Sequence, residues 1–233
     1  MPYRRLPNTD LARIRALKAA VSKGDVSDFR DLPLSLNTLS EARSFLRKFE
    51  AAQEHYMQCL DRQTKASRKH QACVKTARLY LSHFIQVLHM AVIRGEIKET
   101  HKKLYGLSMT DHTVPDLTNE ASMAVWGKNV IEGEQKRTAQ GGVPIYTPTI
   151  AKVKVHYELF LDSHERQKNL QAFTSDSLGK LAAMRSRADE LILDIWNQLE
   201  EAYQGVTPND ARLNLCRDYG LIYYYRTGEQ PAE

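Results

Sequence analysis

The sequence matches itself when it is shifted by 111 positions, and this internal match constrains the fold more than any other feature. Identical residues then coincide along both halves: Leu6 and Leu117, Asn8 and Asn119, Pro33 and Pro144, Phe49 and Phe160, Glu54 and Glu165, Ala77 and Ala188, Leu88 and Leu199, Ala91 and Ala202. Helical periodicity alone can align amphipathic segments, but the two prolines lie outside predicted helices and match without a gap. We therefore predict a tandem duplication, with repeat one at 6–107 and repeat two at 117–221.

Each predicted repeat consists of a short helix, an extended proline-containing loop and a helical hairpin. In repeat one, the capping box Thr38-x-x-Glu41 starts the first long helix. We place the hairpin turn near Lys65 to Ser67, and Gly95 ends the returning helix. In repeat two, Ala121 to Glu132 is predicted as the short helix, and Thr147-Pro148 starts the long one.

Both repeats end with the tripeptide Tyr-Gly-Leu, at 105–107 and at 219–221. A glycine just past a helix end, followed by an apolar residue, is typical of a left-handed C-cap. Leu221 to Arg226 is the one convincing strand-like segment, and its candidate partners are Tyr3 to Leu6 and Leu107 to Thr110.

These elements predict an all-α protein with a four-helix bundle-like core. Its two tandem hairpins are related by a pseudo-two-fold axis, with extra short helices and a small β element at the termini. We assign residues 1–233 to a single domain of two repeats, followed by a strand-like tail at 221–233. The competing architecture is two separate units joined near Asp111 to Asp116.

The composition is that of an ordinary globular protein and excludes few functions. Of 233 residues, 42% are hydrophobic and 26% are charged, and no apolar run approaches the length of a membrane span. The sequence shows no secretory signal, and Cys59, Cys73 and Cys216 form no metal-binding or disulfide pattern. We therefore expect a cytoplasmic protein. The net charge of +5 comes from basic and acidic residues that are mostly interleaved, which is typical of a solvated surface.

No motif in the sequence predicts a catalytic residue, a cofactor or a metal site. The Glu-x-x-His pairs of di-iron helical bundles are absent from the long helices, and so is His-Glu-x-x-His. His164 lies on a predicted core-facing stripe, and Gln53 is its repeat equivalent. We expect them to form a buried polar layer that sets helix register, with an internal ligand site near His164 as the alternative.

The segment Gly133 to Gly142 is the most suggestive predicted loop. Lys136 and Arg137, followed by the flexible Gly141 and Gly142, could contact an anion or a protein partner, although the phosphate-loop spacing is absent. Basic residues also cluster near the N-terminus and could bind a phosphate backbone: Arg4, Arg5, Arg13, Arg15 and Lys18. A solvated surface is the default interpretation of both segments.

Three strings support a family resemblance: Arg137-Thr-Ala-Gln-Gly-Gly-Val-Pro144, Leu191-Ile-Leu-Asp-Ile-Trp-Asn197 and Cys216-Arg-Asp-Tyr-Gly-Leu-Ile-Tyr223. They resemble a family of uncharacterised bacterial proteins. The resemblance implies a helical, cytoplasmic protein and supplies no catalytic or binding residues.

The leading hypothesis for function is a non-enzymatic binding or scaffold protein that contacts an unknown protein partner or self-associates as a dimer. Two alternatives remain open at this stage. One is a nucleic-acid-associated protein that uses its basic face, and the other is a ligand-binding protein or enzyme with a site between the hairpins near His164. A pocket that contains His164 and a carboxylate would favour the last of these.

Overall fold

The computed structural model describes residues 2–28, 30–226 and Glu229, and the regular secondary structure of this part of the chain is helical apart from a two-stranded ribbon. The helices, in chain order, are α1 (Asp10–Val26), α2 (Leu36–Ile93), a 3-10 helix (Glu99–Tyr105), α3 (Glu120–Ala139), α4 (Ile150–Ala183), α5 (Arg185–Ala202) and α6 (Asn209–Asp218). The strands are β1 (Tyr3–Arg4) and β2 (Tyr223–Tyr224). The predicted all-α fold with a helical core is confirmed. No helix in the described residues combines the length and the apolar character needed to span a bilayer.

The predicted turn near Lys65 to Ser67 is wrong, because α2 is one helix of 58 residues. It contains neither glycine nor proline, so nothing in its sequence forces the chain to reverse. In the second half of the chain, only Met184 separates α4 from α5. The segments that the sequence suggested as hairpins are therefore long, nearly continuous helical stretches.

The chain divides into two compact units that do not coincide with the sequence repeats. Unit 1 comprises residues 1–60 and 173–233, and unit 2 comprises residues 61–172. Since α2 and α4 each contribute to both units, every unit combines parts of both predicted repeats.

Unit 1 has a core formed by α1, the first part of α2, α5 and α6. Its fully buried side chains include Leu17, Trp196 and Leu199. Two ion pairs connect α1 with α5: Arg13 donates to Asp189 at 2.7 and 2.9 Å, and Arg185 donates to Asp10 at 2.9 and 2.8 Å.

Unit 2 has a separate core formed by the later part of α2, the 3-10 helix, α3 and the first part of α4. Its fully buried apolar side chains are Phe84, Ile85, Leu88, Tyr105, Met123, Val130 and Phe160. In this unit α2 and α4 run antiparallel, because His70 contacts Ser163 whereas Tyr80, further along α2, stacks on His156.

Both Tyr-Gly-Leu closures have the predicted left-handed glycine, with φ of 71° at Gly106 and 91° at Gly220. Tyr105 is buried against α3, where Gly133 leaves the space that the ring occupies. Tyr219 is buried in the core of unit 1, and its hydroxyl lies 3.1 Å from Ser27 Oγ, just after α1. Each closure therefore packs against the short helix of the other predicted repeat.

The two termini form the small β element that was predicted. Tyr3 pairs with Tyr224 and Arg4 with Tyr223 in antiparallel register, which selects the N-terminal segment as the strand partner. Of the predicted tail at 221–233, residues 227, 228 and 230–233 lie outside the described residues.

Candidate metal centre

Three side chains from separate helices converge in unit 2. His70 comes from α2, Glu120 is the first residue of α3, and His164 comes from α4. One ligand atom from each lies within 4.8 Å of the others, which is the only such group of histidine, cysteine or carboxylate side chains among the described residues. Because the three lie on different helices, only the packing of unit 2 brings them together.

The interatomic distances are short enough for the three side chains to share a single metal ion. Glu120 Oε2 lies 2.8 Å from His164 Nδ1 and 3.1 Å from His70 Nε2, and Glu120 Oε1 is also 3.1 Å from His70 Nε2. Two ligands about 2.1 Å from a metal and about 90° apart lie about 3 Å from each other. The carboxylate and the two imidazoles can therefore share one ion without a large rearrangement.

Ser163 determines which nitrogen of His70 carries a proton. Its hydroxyl donates to the Phe160 carbonyl at 2.8 Å, so its oxygen is left to accept a hydrogen bond from His70 Nδ1 at 2.8 Å. In the neutral imidazole, Nε2 then carries a lone pair that faces the Glu120 carboxylate. Two acceptors at 3.1 Å repel each other unless a proton or a metal ion lies between them.

Glu120 is held as an anion at the start of its helix. The N-cap Asn119 accepts a hydrogen bond from Ala121 N at 2.8 Å, and a carboxylate in the first turn interacts favourably with the helix dipole. Burial opposes ionisation of Glu120, but the neighbouring imidazoles, His164 first and His70 second, outweigh it and lower the pKa of this carboxyl. The group is therefore a charged ligand at neutral pH.

The three side chains open into a pocket of about 310 Å³ that Gln167 also lines. Gln167 is only 9% exposed, and its Oε1 atom is buried without a hydrogen-bond partner. A buried acceptor without a donor is costly in a native protein and calls for a water or a ligand. A water molecule on a metal ion would supply such a donor.

Unit 1 offers a comparison at the positions that the predicted repeat makes equivalent. At the 111-residue offset, His70 corresponds to Leu181, Phe160 to Phe49, Glu120 to Thr9 and His164 to Gln53. Leu181 is fully buried in a cluster with Phe49, just as His70 stacks on Phe160 at 6.2 Å. Since an apolar residue suffices in unit 1, packing alone does not explain a histidine at position 70.

The predicted buried polar layer of Gln53 and His164 is wrong. The His164 side chain is 52% exposed, and the two residues belong to different compact units. Gln53 is half-buried and its Oε1 has no partner. The structure does combine His164 with a carboxylate in a pocket, which was the observation that would favour a ligand site.

The predicted loop at Gly133 to Gly142 is mostly helix, because α3 continues to Ala139. Lys136 is exposed and lies 3.9 Å from Glu132, whereas Arg137 is only 2% exposed. Gly141 and Gly142 follow the helix end and line a cavity of about 650 Å³ together with Arg137.

Arg137 is part of a buried network rather than a free cation. Its guanidinium donates to both oxygens of Glu134 at 2.8 and 3.0 Å, to the Tyr105 hydroxyl at 2.8 Å and to the Val143 carbonyl at 2.8 Å. Tyr105 donates to Glu134, and Ile145 N donates to the same carboxylate at 3.1 Å. Burial raises the pKa of Tyr105, so its hydroxyl stays neutral. This network joins the segment after α3 to the core and leaves Arg137 without free charge for an anion.

The N-terminal basic residues are largely engaged within unit 1. Arg4 donates to Asn197 at 2.7 Å, Arg13 forms its bidentate pair with Asp189, and Lys18 lies 3.8 Å from Glu50. Carboxylates near these cations reduce the positive potential that a phosphate backbone would need.

The sequence analysis missed His70 and Glu120 because its metal search relied on local motifs. These residues are 50 positions apart, and His164 follows 44 positions after Glu120. The useful signal was the difference between the predicted repeats, which places His70 against the apolar Leu181 and Glu120 against the uncharged Thr9. Comparisons with protein-family models, with curated proteins and with solved structures find no match for this chain.

Proposed function

We propose that this protein binds a divalent transition-metal ion through His70, Glu120 and His164. The observation that carries the proposal is the orientation of His70, whose Nδ1–H is committed to Ser163 while Nε2 faces a carboxylate. A metal-bound histidine characteristically donates its second ring N–H to a neighbouring acceptor, and Ser163 is that acceptor here.

Two imidazoles and one carboxylate indicate the class of metal. Such a set is found around zinc in sites that keep an open position and around iron(II) in the two-histidine, one-carboxylate centres. The remaining coordination positions would face the pocket that Gln167 lines. The proposed activity is therefore reversible binding of zinc or iron(II), with room for a small exogenous ligand.

Isothermal titration of the metal-free protein with zinc chloride at pH 7.5 tests the proposal. We expect one equivalent to bind to the wild type, and cobalt(II) to give the absorption bands of a site with nitrogen and oxygen ligands. His70→Leu installs the residue that unit 1 has at this position, so the variant is expected to fold. Because it removes a ligand, zinc affinity should fall at least 100-fold.

The matched control is His83→Leu, which removes an exposed histidine from the same helix outside the pocket. It should leave the zinc affinity within a factor of two. If the wild type binds no zinc, or if His83→Leu and His70→Leu weaken binding equally, the proposal is wrong.

We also propose that the chain arose by tandem duplication and works in a reducing, cytoplasmic setting. Equivalent packing of Leu181 with Phe49 and of His70 with Phe160 supports the duplication, as do the two Tyr-Gly-Leu closures with their left-handed glycines. Cys59, Cys73 and Cys216 are all free thiols, which supports a reducing compartment.

A further inference from the structure

The cavity of about 650 Å³ in unit 2 shares no lining residue with the metal pocket. We call it the Arg137 cavity, after the buried arginine in its wall. The other walls come from the end of α2, the segment 94–98, the 3-10 helix and the segment 141–147 that follows α3. Six residues form the apolar part of the lining: Val87, Ala91, Ile97, Val143, Pro144 and Ile145. A cavity of this size can hold a small organic molecule.

One buried hydrogen-bond donor in the wall of the Arg137 cavity has no acceptor. Arg137 is only 2% exposed, and its Nε and Nη2 atoms donate to Glu134, Tyr105 and Val143. Its Nη1 atom has no hydrogen-bond partner among the described residues. A Cβ atom on Gly142, which lines the same cavity, would lie 2.7 Å from Nη1, so this nitrogen lies at the cavity wall. The Nη1 protons therefore call for an acceptor from a water or a ligand.

Backbone carbonyls in the last turns of α2 and α3 beside the cavity already accept hydrogen bonds. The Ala91 carbonyl accepts from Glu96 N at 2.9 Å and from Ile97 N at 3.2 Å. The Arg137 carbonyl accepts from Gly142 N at 3.1 Å. Because these acceptors are bonded whereas Nη1 is not, the cavity favours a ligand that accepts hydrogen bonds over one that donates them.

The charges of the lining favour an anionic acceptor over a neutral one. Glu96 is the one acidic residue that the described part of the lining contains, and Arg94 pairs with it at 2.8 and 3.1 Å. Glu134 offsets the charge of Arg137, so Arg137 supplies hydrogen-bond donors rather than net charge. Lys98 is exposed and forms no ion pair with any described residue. Its ammonium group therefore gives the lining a net positive charge.

We propose that the Arg137 cavity binds a small monocarboxylic acid with an apolar body, in its anionic form. A carboxylate oxygen would accept from Arg137 Nη1, Lys98 would balance the negative charge, and the apolar body would pack on the buried side chains of the lining. A phosphate ester would bring nearly two negative charges and three acceptor oxygens. The lining offers one unpaired cation and one unpaired guanidinium nitrogen, which match a monocarboxylate better.

Isothermal titration of the full-length protein with 1-naphthylacetate tests this inference. We expect saturable binding of one molecule. The uncharged 1-naphthylacetamide keeps the apolar body and one acceptor oxygen, but it should bind about tenfold more weakly, because a hydrogen bond to an ionised acceptor is roughly twice as strong as a neutral one. The cationic 1-naphthylmethylammonium should show no saturable binding.

Lys98→Gln should weaken naphthylacetate binding about fivefold, the upper range for an exposed ion pair. It should leave the affinity for naphthylacetamide unchanged, since only the charge is removed. Lys103→Gln is the matched control, because it makes the same charge change at an exposed position of the 3-10 helix outside the cavity. It should bind both compounds like the wild type.

Gly142→Ala probes the Nη1 end of the cavity. The added methyl group would lie 2.7 Å from Arg137 Nη1 and occupy the space of the ligand oxygen, so it should abolish binding of both compounds. Far-UV circular dichroism verifies that each variant is folded.

Three results would overturn the inference: no saturable naphthylacetate binding, equal affinities for the acid and its amide, or an equal loss in Lys98→Gln and Lys103→Gln. None of them depends on the metal proposal, because the titrations contain no zinc and no lining residue of the Arg137 cavity is a proposed metal ligand.

Discussion

Ser163 accepts the hydrogen bond that fixes which ring nitrogen of His70 faces Glu120. Replacing it with alanine removes the acceptor of the His70 Nδ1–H bond but keeps every proposed metal ligand. We expect Ser163→Ala to lower zinc affinity about 10- to 100-fold, the usual effect of losing a hydrogen bond behind a metal-bound histidine. Competition with a chelator of known affinity measures this change.

Ser67→Ala provides the comparison for that measurement, because Ser67 lines the same pocket without a hydrogen bond to His70. It should behave like the wild type. An unchanged zinc affinity in Ser163→Ala would show that Ser163 does not orient a ligand.

His89 makes the stability of unit 2 depend on pH. Its Nε2–H donates to the Thr113 carbonyl at 3.2 Å, and its Nδ1 is buried without a partner. Burial, followed by the charge of Lys102, lowers the pKa of His89 below its ordinary 6.5, against the effect of the Thr113 hydrogen bond. The unfolded chain therefore takes up a proton at a higher pH than the folded one.

The free energy of unfolding should accordingly fall as the pH drops below 6.5 towards the folded-state pKa of His89. Urea unfolding between pH 5 and pH 8 measures the slope. His89→Gln should flatten it, whereas His83→Gln, at an exposed position, should not. Glu120 also lowers the free energy of unfolding as the pH falls, but at a lower pH. Its pKa is lowered in the folded protein, so its contribution to stability is lost only below about pH 4.5. A slope that survives in His89→Gln would contradict this assignment.

At the scale of elements, the continuity of α2 through residue 66 is the feature that most distinguishes this fold from two hairpins. In a continuous helix, Ala66→Pro removes a backbone hydrogen bond and introduces a clash, so it should destabilise the protein by about 3 kcal/mol or more. Ala66→Gly should cost only about 1 kcal/mol. Urea unfolding with far-UV circular dichroism compares the two, and a proline that is tolerated as well as glycine would indicate a turn.

The same element explains part of what the sequence could predict. Apolar periodicity located the long helical segments, because it is a local property of the chain. The predicted caps at Thr38 and Thr147 are wrong: Ser35 accepts from Thr38 N at the start of α2, and Thr149 accepts from Lys152 N at the start of α4. The turn failed because Lys65 to Ser67 carry no turn residues, and an interruption of the apolar stripe does not end a helix. Conversely, the left-handed glycines at 106 and 220 were predicted correctly, since their conformation depends on adjacent residues.

At the scale of the whole molecule, one tryptophan reports on each unit. Trp196 is buried in unit 1, and Trp126 packs against the core of unit 2. Since α2 and α4 pass through both units without a linker, we expect the two units to unfold together. Zinc at 100 times its Kd should add about 2.7 kcal/mol to the free energy of unfolding.

The measurement uses Trp126→Phe and Trp196→Phe, each of which retains one tryptophan. Zinc should raise the urea midpoint seen by either remaining tryptophan, although the proposed site lies in unit 2. If only Trp126 fluorescence responds to zinc, the units unfold independently.

The sequence by itself determined the helical character of the chain and its two closures, because these follow from periodicity and from C-cap chemistry. It left two candidate partners for the C-terminal strand, and the structure selected the N-terminal segment. Only the tertiary structure decided that the units combine parts of both repeats, that Arg137 is buried with Glu134, and that His70, Glu120 and His164 meet. Each of these depends on residues that are distant in sequence and lie on separate elements. A local sequence pattern does not specify which faces of those helices pack together.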